Sequence, residues 1–410
     1  MYIKRVFAKP IKKSLEFFPV VAVVGARQTG KTTLVQNEFP ERRYFSLDSP
    51  SIREVLQREP YSFLASQKGE ITLDEVQKAP EVFDVLKLMV DENRKPGQFL
   101  LTGSANFLLL KNISETLAGR IAIFELPGFL VAESMEGKPS SFILNCLKGK
   151  VSLPETLDLS ISLEDFVLKG TLPPAVLSPD NTIRNLWFDN YIATYLERDL
   201  RELSQVASLG DFKRFMSLLA LRTAQVLNVS EVARDAGISV STARNYLHLL
   251  ELSYQVRRLI PYFANIGKRL VKAPKIHFRD TGLAIALAGI SLNEENISLN
   301  PYYQFLVETF IVEEIIKLIS LQEPRARFYY FRTHGGGEVD LVLELGNILL
   351  PIEIKATSKI SLKKMASLKQ FLSDFKQKSP LGIVVYLGKE IFNVGNIIVV
   401  PWQYILVDKN

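Results

Sequence analysis

The chain is poor in the residues from which covalent or metal staples are made. Its 410 residues include one cysteine, Cys146, and three histidines. A single thiol excludes a disulfide within the chain and a cysteine-built zinc site, and it agrees with a reducing compartment. Long apolar runs are also missing: no stretch approaches the roughly 20 residues that cross a bilayer as a helix. The opening residues, MYIKRVFAKPIKKSLEFFP, are basic but lack the apolar centre of a secretory signal. These absences predict a cytoplasmic protein with no membrane segment. Nor does one sign of charge dominate. A formal net charge of +6 permits nucleic acid as a partner without requiring it. There is no internal repeat and no low-complexity tract.

What is present suits a folded protein of several cores, with 47% hydrophobic and 23% charged residues. From residue 14 to 135, strand-like runs (PVVAVVG, RRYFSLD, EITLDE, QFLLTGS, RIAIFEL) alternate with helical patterns such as APEVFDVLKLMVDEN. Such alternation predicts a parallel sheet covered by helices. Residues 136–182 are punctuated by Gly, Pro and Ser and read as a loop-rich boundary. Helical patterns follow to about Leu252, then a strand hairpin, then an α/β segment from about Pro301. The division expected is 1–135 for a P-loop core, 136–205 for a linker and helical lid, 206–290 for a winged helix-turn-helix, and 300–410 for a last α/β domain.

Gly25-Ala26-Arg27-Gln28-Thr29-Gly30-Lys31-Thr32 spells GxxxxGKT, with Thr33 next, between a strand and a helix. Glycines let backbone N–H groups wrap phosphate oxygens, and the helix points its positive end at the anion. Lys31 is placed to neutralise the β/γ-phosphates of ATP and Thr32 to set its hydroxyl on Mg²⁺. EITLDE supplies the acidic partner: Asp74 to hold a water on Mg²⁺, Glu75 to polarise the attacking water. Thr102 and Ser104, ending the LLTGS strand, could sense the γ-phosphate. Arg120 could reach a phosphate of this or a neighbouring subunit; an ordinary surface ion pair is the alternative.

Several of these segments, GARQTGKTTL, FSLDSP, LDEVQKAPEVFDVLK, LLTGSANFLL and LAGRIAIFELPGF, together resemble a large prokaryotic family of AAA-type ATPases (AAA_14-like). In that family a domain of uncharacterised function (DUF4143-like) follows the core, and YLERDL, HFRDTGLA and FRTHGGGEVDLVLE with IEIK look like it. The resemblance covers nearly the whole chain. It implies a five-stranded core in which the Walker B strand does not neighbour the phosphate-loop strand, and ATP hydrolysis at Lys31, Thr32, Asp74 and Glu75. What the ATP serves is not implied, and homo-oligomerisation through the core is left open.

VSEVARDAGISVSTARNYLHLLELS has helix-turn-helix spacing. Ser230 is expected to cap the first helix, Val232 and Ala233 to face inward, Gly237 to turn, Ile238 to pack, and Ser239 or Ser241 to cap the second helix. Leu247 and Leu250 would bury that helix, leaving Ser241, Thr242, Arg244, Asn245 and His248 outward, where they could meet a DNA major groove. Lys268, Arg269, Lys272 and Lys275 on the following hairpin would act as a basic wing. A scaffold or protein-docking role is the alternative, since the outward face has one arginine. His248 and His277 read as surface or packing residues, because no ligand cluster surrounds either.

Near the C-terminus, GEVDLVLELGNILLPIEIK places two strands around Gly346-Asn347. A two-residue turn there sets Asp340 opposite Glu353 and Glu338 opposite Lys355, so Asp340, Glu353 and Lys355 share one face. Opposed acids repel unless a cation compensates, and Mg²⁺ is the cation expected. Asp followed by Glu-x-Lys on the next strand resembles the PD-(D/E)xK nuclease fold. Glu308, on the preceding helix, matches an acid that some members of that fold add to the metal site; Glu313 is a weaker candidate. A structural acid–lysine pair is the alternative. Pro351 requires its strand to be an edge at that point, or a different register. The combined expectation is an ATP-dependent DNA-processing enzyme. Its alternative is a nucleotide-switched DNA- or protein-binding module with an inactive nuclease-like domain.

Overall fold

The computed structural model describes residues 2–104, 116–151, 161–194, 208–263, 272–291, 293, 295–333 and 336–408. The chain forms two compact units, Met1–Phe129 with Leu252–Gln255, and Leu130–Glu251 with Val256–Asn410.

The first unit runs α1 (Ala8–Leu15), β1 (Val20–Gly25), α2 (Lys31–Glu38), β2 (Arg43–Ser46), α3 (Pro50–Arg58), α4 (Pro60–Ser66), β3 (Ile71–Asp74), α5 (Val82–Glu92), β4 (Phe99–Ser104) and β5 (Ile121–Glu125). Its sheet has the order β2-β3-β4-β1-β5 and every ladder is parallel. All six residues of β1 are buried, as a strand covered on both faces must be. Helix α5 buries Val82, Phe83, Leu86 and Val90, one stripe at helical spacing. Strand β4 lies between β1 and β3, so the phosphate-loop strand and the Asp74 strand are separated as the resemblance implied.

In the second unit, β6 (Lys138–Pro139) pairs with the C-terminal strand β16 (Val407–Asp408). The helix Phe142–Leu147 that follows buries Phe142, Ile143, Cys146 and Leu147. Helices Leu163–Lys169 and Pro173–Val176 come next. Residues expected to form a loop-rich boundary are therefore built into the unit: composition marked the turns but not the apolar faces between them. The thiol of Cys146 is pushed up to about 12 by burial, so it is neither a ready nucleophile nor a metal ligand.

The middle of the unit has helix Leu209–Ala220, β7 (Gln225–Val226), helices Val229–Ala236 and Val240–Leu252, then β8 (Val256–Leu259) and β9 (Lys275–Phe278), with antiparallel order β7-β9-β8. After it comes the long helix Tyr303–Gln322 and a six-stranded sheet, β10-β11-β12-β13-β15-β14. Strands β10 (Arg327–Arg332), β11 (Glu338–Leu345) and β12 (Ile348–Lys355) form an antiparallel meander. Helix Ala366–Asp374 crosses over to β13 (Gly382–Tyr386), which runs parallel to β12; β15 (Ile397–Pro401) runs parallel to β13, and β14 (Phe392–Val394) antiparallel to β15.

Gly346 takes φ +60°, which a two-residue hairpin turn asks of its first central residue. The pairing that results runs from Leu345↔Ile348 to Leu341↔Ile352 and stops there; one residue short of the expected Asp340–Glu353 pair, the Asp340 carboxylate instead accepts from Ile354 N. Pro351 pairs with Val342, while the ladder to β13 begins at Ile352. At Pro351 the strand thus has a strand neighbour on one side only, and the missing N–H costs no ladder bond. Beyond β8, a bridge between Pro261 and Tyr330 extends the edge of β10, with Tyr262 N donating to Tyr330 O at 2.6 Å.

Candidate functional sites

The phosphate loop sits at the C-terminal end of β1. Gly25 has φ +151°, and a Cβ there would lie 2.5 Å from Leu126 O, so a side chain is excluded by backbone and not by a movable neighbour. Gly30 is left-handed and precedes the first turn of α2. The Lys31 ammonium donates to Gly25 O (3.1 Å) and Ala26 O (2.7 Å), and the Thr29 hydroxyl donates to Ala26 O (3.0 Å). From behind, the buried Arg5 guanidinium donates to Thr29 O, Pro127 O and Gly128 O, a brace that the sequence motif did not signal.

Asp74 ends β3 inside a cage of hydroxyls. Thr32 donates to both its oxygens at 3.0–3.1 Å, Tyr44 donates at 2.6 Å, and Thr102 donates to Oδ1. Burial, then the contact with Asp74, raises the Tyr44 phenol pKa. Tyr44 was missed because an aromatic residue on a short strand reads as core. Thr102 faces Asp74 and is buried, so it acts on the carboxylate directly; Ser104 lies level with Gly25 across the β1–β4 ladder. Glu75 follows in the left-handed region at φ +58°, and Gln77 donates its amide to the Glu75 carboxylate. A non-glycine residue in that region stores strain, which concentrates at functional sites.

Of the two readings left open for Arg120, the structure holds the surface ion pair. Its carbonyl accepts from Val20 N, at the start of β1, whereas the phosphate loop lies at the far end of that strand. At about 3.3 Å per residue this puts Arg120 beyond reach of a phosphate on the same chain. Its guanidinium instead forms a two-pronged pair with Asp91 (2.6 and 2.8 Å). That contact raises the Arg120 pKa and lowers that of Asp91.

In the middle module, Asn228 and not Ser230 caps the first helix, accepting from Glu231 N, and Gly237 closes it at φ +70°. Ser239 caps the second helix, accepting from Thr242 N at 3.0 Å. Asn228 outcompeted Ser230 because it precedes the first helical residue, where a side-chain oxygen meets an orphan N–H. Leu247 and Leu250 are buried and Ile238 half-buried; Ser241, Arg244, Asn245 and His248 are exposed and Thr242 half-exposed. Lys272 is exposed, while Lys268 and Arg269 lie outside the described residues. His277 is fully buried, and burial followed by Lys275 and Arg257 holds its pKa well below 6.5.

The expectation for Lys275 fails. It is 1% exposed, so its ammonium is not offered to solvent or to a DNA backbone. Its ammonium pairs with Glu308 and Glu338 and lies 3.5 Å from Asp340. Those three acids have oxygens within 4.8 Å of one another, the one such acid group among the described residues. Burial opposes the charge on Lys275, but Glu308, Asp340 and Glu338 outweigh it and raise its pKa. Glu308 is pushed up to about 8, by burial and then by Asp340.

Glu353, expected to share a cation with Asp340, is outside that group. It pairs with Lys355 at 2.5 Å, and burial raises it to about 7, with Lys355 opposing and Asp340 adding. Lys355 is raised by Asp340 and Glu353 against the burial that lowers it. Asp340 accepts from Ile354 N at 2.7 Å. Glu313 is elsewhere, bound to Arg257 (2.7 Å) and 3.7 Å from Arg279. Glu338 was passed over as a site residue because only its cross-strand partner was considered, not strand β9.

The parallel sheet, the glycine loop and the Thr32–Asp74 contact define a P-loop NTPase core of the AAA type. Residues 18–135 match the AAA domain family AAA_14. Residues 160–294 and 303–405 match two domains of unknown function, DUF8612 and DUF4143. Uncharacterized protein Mb2031c of Mycobacterium bovis and uncharacterized protein Rv2008c of Mycobacterium tuberculosis are each 35% identical to it over 410 residues, spanning 98% of this chain and 84% of theirs. The chain belongs to this family of AAA-type ATPases with a C-terminal DUF4143 domain. Among solved structures, the Walker-type ATPase PABY2304 of Pyrococcus abyssi is 16% identical, with TM-score 0.45 over 70% of this chain and 96% of that one. The Thermotoga maritima RuvB Holliday junction branch migration motor is 18% identical, with TM-score 0.29 over 62% and 88%. No helix among the described residues is long and apolar enough to cross a membrane.

Proposed function

We propose that the protein hydrolyses ATP and uses it to act on DNA. The observation that carries the first half is the contact of the Thr32 hydroxyl with Asp74 beside the Lys31 ammonium. A hydroxyl and a carboxylate whose partners are all neutral fit Mg²⁺, which would neutralise charge on the bound triphosphate. Lys31 leaves the loop carbonyls for the β/γ-phosphates, and backbone N–H groups at the start of α2 hold the phosphate oxygens. Glu75 takes the proton of the attacking water, with Gln77 holding the carboxylate until then.

The middle module is proposed as a winged helix-turn-helix, on its order of helix, strand, two helices and two strands. Ser241, Arg244, Asn245 and His248 would face the major groove. The C-terminal sheet is proposed as PD-(D/E)xK-like, supported by Asp340 on β11 accepting from Ile354 N of β12, between Glu353 and Lys355, which pair with each other. DNA affinity measured against salt tests the middle module. Replacing Arg244 and Lys272 by alanine should lower the log–log slope by about one unit each; an unchanged slope would move the contact elsewhere. A second reading, a nucleotide-switched binding module that does not cut, is favoured by one observation: the ammonium of Lys275 among the acids.

A further inference from the structure

We propose that Lys275 is the built-in cation of the Glu308–Glu338–Asp340 site, and that a divalent metal is excluded for as long as its ammonium stays there. The inference rests on reading the C-terminal sheet as nuclease-like and concerns how that site is regulated. Mg²⁺ needs several oxygens at about 2.0–2.1 Å in near-octahedral array. The space among these three carboxylates is where the Lys275 ammonium lies, in contact with Glu308 and Glu338 and 3.5 Å from Asp340. An ammonium and a divalent ion repel too strongly to share it. The residues present therefore do not fit a metal in this arrangement, although their number and type would.

Lys275 belongs to neither the long helix nor the six-stranded sheet. It starts β9, the central strand of the middle module's sheet. Further contacts fix that module to the same helix: Arg257 of β8 on Glu313, and Thr223 on Thr309 at 2.8 Å. The Pro261–Tyr330 bridge adds a backbone tie to β10. The cation that closes the acids is thus supplied by the module that carries the Arg244 face, and not by the helix or sheet that carries the acids.

The test is a Mn²⁺ titration of the full chain without nucleotide, with free Mn²⁺ followed by electron paramagnetic resonance. The parent and Lys275→Arg should show no binding that Asp340→Asn removes. Lys275→Met should gain an ion bound at least about tenfold more tightly, the factor that roughly 1.4 kcal/mol represents, and lose it again on adding Asp340→Asn. Binding by the parent that disappears in Asp340→Asn overturns the proposal, as does folded Lys275→Met that binds no better than the parent. Should Lys275→Met fail to fold, the parent comparison alone decides by the same criterion. Plasmid cleavage by the Mn²⁺-loaded Lys275→Met chain separates the two readings: tight binding without cleavage sinks the nuclease reading and leaves the lysine's role intact.

Discussion

Each unit holds a carboxylate site, and the two differ in what satisfies the acid. In the first unit, Asp74 is held by hydroxyls of Thr32, Tyr44 and Thr102, while Lys31 rests on loop carbonyls. In the second, Glu308, Glu338 and Asp340 are held by an ammonium. Neutral partners leave the carboxylate's charge uncompensated and ready for an incoming cation. A buried lysine has already compensated it, at a large desolvation cost that only the acids offset. The same residue types thus make a receptive site in one unit and a closed one in the other.

The largest expected effect breaks the receptive site. Lys31→Ala should abolish nucleotide binding, measured by equilibrium titration with a fluorescent ATP analogue. Glu75→Gln should still bind but turn over about 10²–10⁴-fold more slowly, the usual weight of a general base. Turnover by Glu75→Gln at the parent rate would remove Glu75 from that role.

Stability sharpens the contrast between hydroxyl and ammonium. Lys275→Met strands the buried Asp340 and the half-buried Glu308 and Glu338 and should cost about 3 kcal/mol in urea unfolding, the lower end for a broken buried pair. Tyr44→Phe loses one hydrogen bond to a carboxylate and should cost about 1.5–3 kcal/mol. Equal losses would mean that Lys275 is solvated and the acids are not its partners in solution.

The smallest effect is in acid. Folded, His277 stays neutral well below its ordinary pKa of 6.5. The unfolded chain takes up a proton there as pH falls through that value, so stability is lost as pH falls below it. His277→Phe should flatten this limb, seen as a smaller drop in urea midpoint between about pH 7.5 and about pH 5.5. An unchanged drop would assign the acid sensitivity to other groups.

How far these sites could be read from sequence follows from how local their causes are. GARQTGKT carries its own loop geometry, and the Gly346-Asn347 turn fixes the register from Leu345↔Ile348 to Leu341↔Ile352; both need only neighbouring residues. The exposed face of the Val240–Leu252 helix was legible for the same reason, through helical spacing. Lys275 was not. A lysine on a hairpin reads as surface, and its burial depends on acids that the chain supplies only later, on another helix and another sheet. Arg120 differs again: motif order left a phosphate contact and a surface ion pair both open, and strand direction, which carries it to the end of β1 away from the loop, separates them. Segment 136–182 was misread because its partner strand, β16, lies at the other end of the chain.

The most direct test of the comparison is the number of Mn²⁺ ions bound per chain with a non-hydrolysable ATP analogue present. The account predicts one, lost in Lys31→Ala and untouched by Asp340→Asn. Two ions, with the second removed by Asp340→Asn, would contradict it, because the acids around Lys275 would then be as open to a metal as Asp74.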